Sequence, residues 1–200
     1  MSSATPPPRK AELSRETGET RVRAAVDLDR PAPPAIETGL GFLDHMLTAV
    51  AVHGRIGLEL SCTGDLHVDD HHTAEDCALT LGTAIDQALG DRGGIERFGE
   101  ASIPMDEALA RCAIDLSGRP ASAISLGLRR ERLGDVACEN LHHVFQSLAQ
   151  TMRAAVHIDV VRGVNDHHRA EAAFKAFAVA LRRAVARTGH ASIPSTKGVL

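Results

Sequence analysis

Two segments of the chain repeat one another. Asp70-His71-His72-Thr73-Ala74-Glu75 and Asp166-His167-His168-Arg169-Ala170-Glu171 both read D-H-H-x-x-E, 96 residues apart. A second pair precedes them at nearly the same offset, Leu43-Asp44-His45 and Leu141-His142-His143, 98 residues apart. Such a repeat within 200 residues means an internal duplication. The organisation expected is a loose tail at 1–12, with Pro6-Pro7-Pro8, a first repeat at 13–100 and a second at 101–200, the two making one domain.

Both halves follow one grammar. Val22, Ala24, Val26 and Leu28 alternate as a half-buried strand requires, as do Ile56, Leu58 and Leu60. Gly41 to Val52 reads as a short helix between them. Ala74, Cys77, Ala78, Leu81, Ile85 and Leu89 then recur at helical spacing behind Asp70, the expected N-cap. In the second half Cys112, Ile114 and Leu116 alternate, Asn140 to Thr151 reads as helix, and Ala154, Val156, Ile158 and Val160 alternate again. A long helix follows through Ala170, Phe174, Phe177, Leu181 and Val185, with Asp166 as its N-cap. Each half is thus strand, short helix, strand, long helix, with room for further strands in the gaps.

On a helix, residues four apart share a face, so His71 with Glu75, and His167 with Glu171, can each converge on one ion. Adjacent residues diverge by about 100°. His72 is therefore aimed away from the ion that His71 holds. With His45 and His143 the count is six histidines and two glutamates, which divides into two sites of three His and one Glu. Imidazole with carboxylate suits Mn, Fe, Co, Ni or Zn. No cysteine accompanies the motif, and three His with one Glu leave open positions for substrate or water. A dinuclear hydrolase, such as a phosphoesterase, and a metal-storage assembly would use the same ligands. His53, His67, His142, His157 and His190 complete the eleven histidines and read as surface or supporting residues.

Composition excludes other classes. A net charge of −4, with no Trp, no Tyr and five Phe, argues against nucleic-acid binding. No run of about 18 uncharged apolar residues is present to span a membrane. Without an apolar signal core the expected location is cytoplasmic, and Cys62, Cys77, Cys112 and Cys138, which form no C-x-x-C pair, are expected to be reduced.

Several segments resemble the imidazoleglycerol-phosphate dehydratase family. They are Phe42-Leu43-Asp44-His45-Met46-Leu47 with His53-Gly54, Asp69 to Asp76, Arg97-Phe98-Gly99, Asp115 to Pro120, Asn165 to Lys175, and Pro194-Ser195-Thr196-Lys197-Gly198. The resemblance runs from about Arg15 to Leu200. Leu43 replaces the second Phe of the family's Phe-Phe-Asp-His. The resemblance implies an α+β fold of two similar half-domains, ribosomal S5 domain 2-like, with helices sandwiched between two sheets. It implies a metal-dependent hydro-lyase of histidine biosynthesis, converting imidazoleglycerol phosphate to imidazole acetol phosphate with two Mn2+ ions per site. It further implies homo-oligomerisation, trimers assembling to a 24-mer with active sites between subunits.

By the family's pattern, one ion takes His45, His72, His167 and Glu171, and the other His71, Glu75, His143 and His168. The resemblance makes Glu19 the acid/base residue, with Glu171 and His72 beside it in the catalytic set. It places His53 in the substrate pocket and gives Arg97, Arg119, Ser195 and Lys197 to the phosphate. The chemistry to be performed is the loss of a hydroxyl and a carbon-bound proton, helped by a substrate imidazole whose ring nitrogens are held as an imidazolate.

Overall fold

Alternating burial along the strands sets the architecture. The computed structural model describes residues 7–189, 192, 193, 195 and 198. The first half contains β1 (Lys10–Glu16), β2 (Thr20–Asp27), β3 (Ala35–Glu37), α1 (Gly41–Gly54), β4 (Gly57–Gly64) and α2 (His71–Leu89). The second contains β5 (Phe98–Met105), β6 (Ala108–Asp115), β7 (Ala121–Ser125), the short β8 (Arg132–Leu133) and β9 (Val136–Ala137), α3 (Cys138–Thr151), β10 (Ala155–Arg162) and α4 (Asp166–Ala184). Each half builds one four-stranded sheet, ordered β1-β2-β4-β3 and β5-β6-β10-β7. In both, the first two pairings are antiparallel and the last is parallel. The duplication therefore extends to topology.

One face of each sheet is apolar. Val22, Ala24 and Val26 of β2, and Ala110, Cys112 and Ile114 of β6, are buried while their neighbours face outward. The helices fill the space between. α2 packs on β1 and β2, α4 on β5 and β6, and the helices of the two halves pair across the middle, α2 with α3 and α1 with α4. The middle layer is covered on both sides, so α4 buries residues around most of its circumference. Alanine at 170, 172, 173, 176, 178, 180 and 184 lets sheet and helix approach it closely. At Gly99 a Cβ would collide with the Ala180 carbonyl, which shows how tightly β5 lies on α4. Phe145 of α3 meets Phe174 and Phe177 of α4 at ring-centroid separations of 4.4 and 5.7 Å and locks the two helices together. All four cysteines are free thiols.

The local pattern differs from the sequence reading in three places. β1 begins at Lys10, inside the stretch read as tail, where Ala11 and Leu13 supply little alternating hydrophobicity. β5 spans the expected division between the repeats and belongs wholly to the second sheet; it carries Pro104 because it is an edge strand. Asp70 holds the N-cap position of α2 as expected, but its side chain makes no cap bond there, and α4 is capped by Asn165, one residue before the expected Asp166. The His71 amide donates to Asp69 Oδ1 (2.8 Å) and the His167 amide to Asn165 Oδ1 (2.9 Å). Asp70 and Asp166 are instead buried and accept from other segments, Ala137 N–H in one case and Arg129 and Arg130 N–H in the other.

Candidate metal centre

The capped first turns of α2 and α4 present the histidine pairs, and α1 and α3 bring His45 and His143 to meet them. Two groups of three donors form. In the first, one donor atom each from His45, His167 and Glu171 lies within 4.8 Å of the others, and in the second the same holds for His71, Glu75 and His143. His143 Nε2 stands 2.8 Å from Glu75 Oε1. Glu171 Oε2 stands 3.2 Å from His167 Nε2 and 3.6 Å from His45 Nε2. The two groups exchange under the repeat. Two imidazoles with one carboxylate, and no thiolate, form a donor set that fits a divalent cation of the manganese-to-zinc series.

The fourth histidine expected in each set does not join these groups within one chain. His72 turns outward, its Nδ1 3.0 Å from Asp65 Oδ2 and its Nε2 3.6 Å from Glu19 Oε1. His168 places Nδ1 2.7 Å from Glu107 Oε2. The two outward histidines are thus oriented alike, each through Nδ1 by a carboxylate, with Nε2 directed away. The bond with Asp65, and then the charge of Glu19, raise the His72 pKa. Glu107 does the same for His168, and is itself pulled down to about 2 by the Asn165 N–H, His168 and the Val164 N–H.

Lys175, one turn after Glu171, donates to Glu171 Oε1 at 2.6 Å. Burial raises the Glu171 pKa, but Lys175 and the neighbouring histidines outweigh it and hold the carboxyl below its ordinary value. The His53 ring lies in the field of Lys175 and Glu171, and burial with the Lys175 charge lowers its pKa. Glu19 occupies the turn between β1 and β2, exposed, with its N–H on Thr17 Oγ1.

Of the residues expected at the phosphate, Arg97 lies far from the clusters of its own chain. The Arg97 side chain bonds Asp115 at 2.7 and 3.1 Å and covers the exposed Phe98 ring. Its backbone N–H donates to Ala184 O at the last turn of α4, whereas His167 is at the first. A helix of 19 residues puts these ends roughly 25 Å apart. Arg119 is exposed in the loop after β6, with Nη1 3.4 Å from Ser117 O. The Ser195 N–H donates to Ile193 O, and Lys197 lies outside the described residues.

Sequence reasoning missed Asp65, Glu107, Lys175 and Asn140. Only Lys175 carried a local signal, its four-residue spacing from Glu171. The other three reach their histidines through loops or another helix. His142 and His157 have the ordinary roles expected, His142 bonding the Ile124 carbonyl and His157 standing exposed on β10.

The chain is similar to known proteins over nearly its whole length. The family model described as imidazoleglycerol-phosphate dehydratase matches residues 38–181. An imidazoleglycerol-phosphate dehydratase of Phaffia rhodozyma is 50% identical over 203 residues, covering 99% of each chain. One of Phytophthora nicotianae is 55% identical over 192 residues, 96% of this chain and 42% of that longer protein. The crystal structure of imidazoleglycerol-phosphate dehydratase from Staphylococcus aureus superposes with a TM-score of 0.81 at 35% identity, covering 90% of this chain and 99% of that one.

Proposed function

Because the chain belongs to the imidazoleglycerol-phosphate dehydratase family, we propose that it removes water from imidazoleglycerol phosphate to give imidazole acetol phosphate, at a site of two manganese ions shared between copies of the chain. The pair of mirrored His/His/Glu clusters carries this reading. Each cluster has three donors in place, and beside each stands a further histidine, His72 or His168, held apart from it by a carboxylate and left for a second copy to use. One ion takes His45, His167 and Glu171 with His72 of another copy; the other takes His71, Glu75 and His143 with His168 of another copy. When bound, the ions supply a template and Lewis acidity for negative charge on the substrate imidazole.

The chain's own residues do the rest. The hydroxyl leaves from the carbon beside the ring, and a proton leaves from the next carbon; the enol that results becomes the ketone of the product. Glu19 Oε1, exposed beside His72 Nε2, moves that proton. Lys175 holds Glu171 ionised, and His53 lines the space near them. Arg97, Arg119, Ser195 and Lys197 bind the phosphate from another copy, since Arg97 is a helix length from the cluster in its own chain. No helix among the described residues is long and apolar enough to cross a membrane, and the reading places the enzyme in the cytoplasm.

Glu19→Gln is the test. It should retain manganese and assembly while dehydration falls by roughly 10²- to 10⁴-fold. A variant that keeps full turnover refutes the role of Glu19. Release of inorganic phosphate in place of the ketone by the unaltered enzyme refutes the reaction.

A further inference from the structure

The two clusters are related by the repeat, yet their supports differ. Asn140 of α3 and Phe42 of α1 are equivalent, each three residues before the histidine its helix supplies. Phe42 meets the His167 ring edge-on at 5.3 Å. Asn140, 5% exposed, places Oδ1 2.8 Å from His71 Nδ1 and Nδ2 2.8 Å from Asp70 Oδ2. Asp70 Oδ2 also accepts the Ala137 N–H, and its Oδ1 faces Arg132 Nη2 at 3.0 Å.

This chain of bonds has one consistent direction. Both oxygens of Asp70 are occupied as acceptors, so Asn140 must offer its NH2 there and its carbonyl to His71. A carbonyl only accepts, so His71 Nδ1 carries the ring proton and Nε2 carries the lone pair. Among the described residues no hydrogen bond engages Nδ1 of His167 or of His45. The Glu171 carboxylate is moreover shared with Lys175 at 2.6 Å, whereas among the described residues no Lys or Arg side chain pairs with Glu75.

We infer that Asn140 makes the duplicated cation sites unequal, fixing His71 as the Nδ1–H tautomer so that the His71/Glu75/His143 site holds its divalent cation more tightly than the His45/His167/Glu171 site. The other two histidines do not reverse the difference, because each is held through Nδ1 by a carboxylate, His72 at 3.0 Å and His168, which goes to the tighter site, at 2.7 Å. This inference rests on the reading of both clusters as cation sites.

The test is a titration of the metal-free, full-length protein with Mn2+, following free Mn2+ by its paramagnetic resonance signal. Wild type should show two binding classes of one ion per chain each. Glu75→Gln should remove the tighter class and Glu171→Gln the weaker. Asn140→Leu, close in shape but without the acceptor, should weaken the tighter class by roughly 10- to 100-fold and leave the weaker unchanged. A single class of equal affinity, loss of the tighter class in Glu171→Gln, or an Asn140→Leu titration that matches wild type or weakens both classes alike overturns the inequality. Should Asn140→Leu fail to assemble, wild type and the two glutamate variants decide the ranking. Absence of Mn2+ binding by wild type refutes the cation reading itself.

Discussion

Two inactive variants should restore one another when mixed. On the proposed function, each chain offers one face made of His45, His167, His168 and Glu171, and another made of His71, His72, Glu75 and His143. A site completed between copies draws the first face from one chain and the second from its neighbour. Glu171→Gln damages only the first face and Glu75→Gln only the second; the amide keeps the shape but cannot carry the charge that a divalent cation needs. Alone, either variant has one damaged face in every site. In oligomers built at random from equal amounts of both, a site takes its first face from a Glu75→Gln chain half the time and its second from a Glu171→Gln chain half the time. About a quarter of the sites are then wholly intact, so about a quarter of wild-type turnover should return. The two chains can be co-expressed with different tags, doubly purified, and assayed for dehydration in saturating Mn2+. Mixed oligomers no more active than the two variants separately would refute shared sites, because sites built within one chain always keep a damaged residue.

Other outcomes follow from the same structure. Stripping divalent ions with a chelator should abolish turnover and reduce oligomer size in sedimentation, since the proposed ions join copies; full size with full turnover contradicts this. Mn2+ affinity should fall as pH drops through about 6.5, where histidines protonate, and the pKa values of His72 and His168, raised by Asp65 and Glu107, start that loss at higher pH; a flat profile to pH 5 counts against histidine ligation. Asp29 clasps Arg9 at 2.6 Å and Arg187 at 2.9 Å, and the Arg187 bond chiefly depresses its pKa in the folded chain. A depressed carboxyl stabilises the fold above its unfolded pKa and loses that contribution as pH falls below about 4. Asp29→Asn should therefore cost about 1–2 kcal/mol at pH 7 and progressively less as pH falls below about 4; melting curves of the two proteins that stay parallel across pH would refute the clasp. Phe145→Ala should cost about 3–5 kcal/mol by opening a cavity beside Phe174 and Phe177, lowering the melting temperature by roughly 6–20 °C; a fall under about 2 °C would show that this contact does not hold α3 to α4.

What the sequence discloses depends on whether a constraint is local. The four-residue spacing of His71 with Glu75, and of His167 with Glu171, needs only helical geometry, and its duplication at a fixed offset marks both clusters. The alternation in β2, β4, β6 and β10 is equally local, because each is a central strand with one buried face. β3 and β7 are short parallel edge strands whose partners lie far along the chain. The divergence of adjacent helical residues says that His72 leaves the cluster of His71, but not that Asp65 and Glu19 receive it. Asn140 sits in a different half from His71, and only folding makes them neighbours. Asp70 looks like a cap in sequence, yet burial against Ala137 and Asn140 draws its carboxylate away and leaves Asp69 to the task.

The central claim is that two cations occupy the twin clusters and that each draws on a neighbouring copy. Anomalous diffraction at the manganese edge, from crystals of the Mn2+-loaded oligomer, tests it most directly. Two peaks per chain are predicted, one touching His45, His167 and Glu171 with another copy's His72, the other touching His71, Glu75 and His143 with another copy's His168. Peaks absent from these clusters, or ringed by ligands of a single chain, would contradict it.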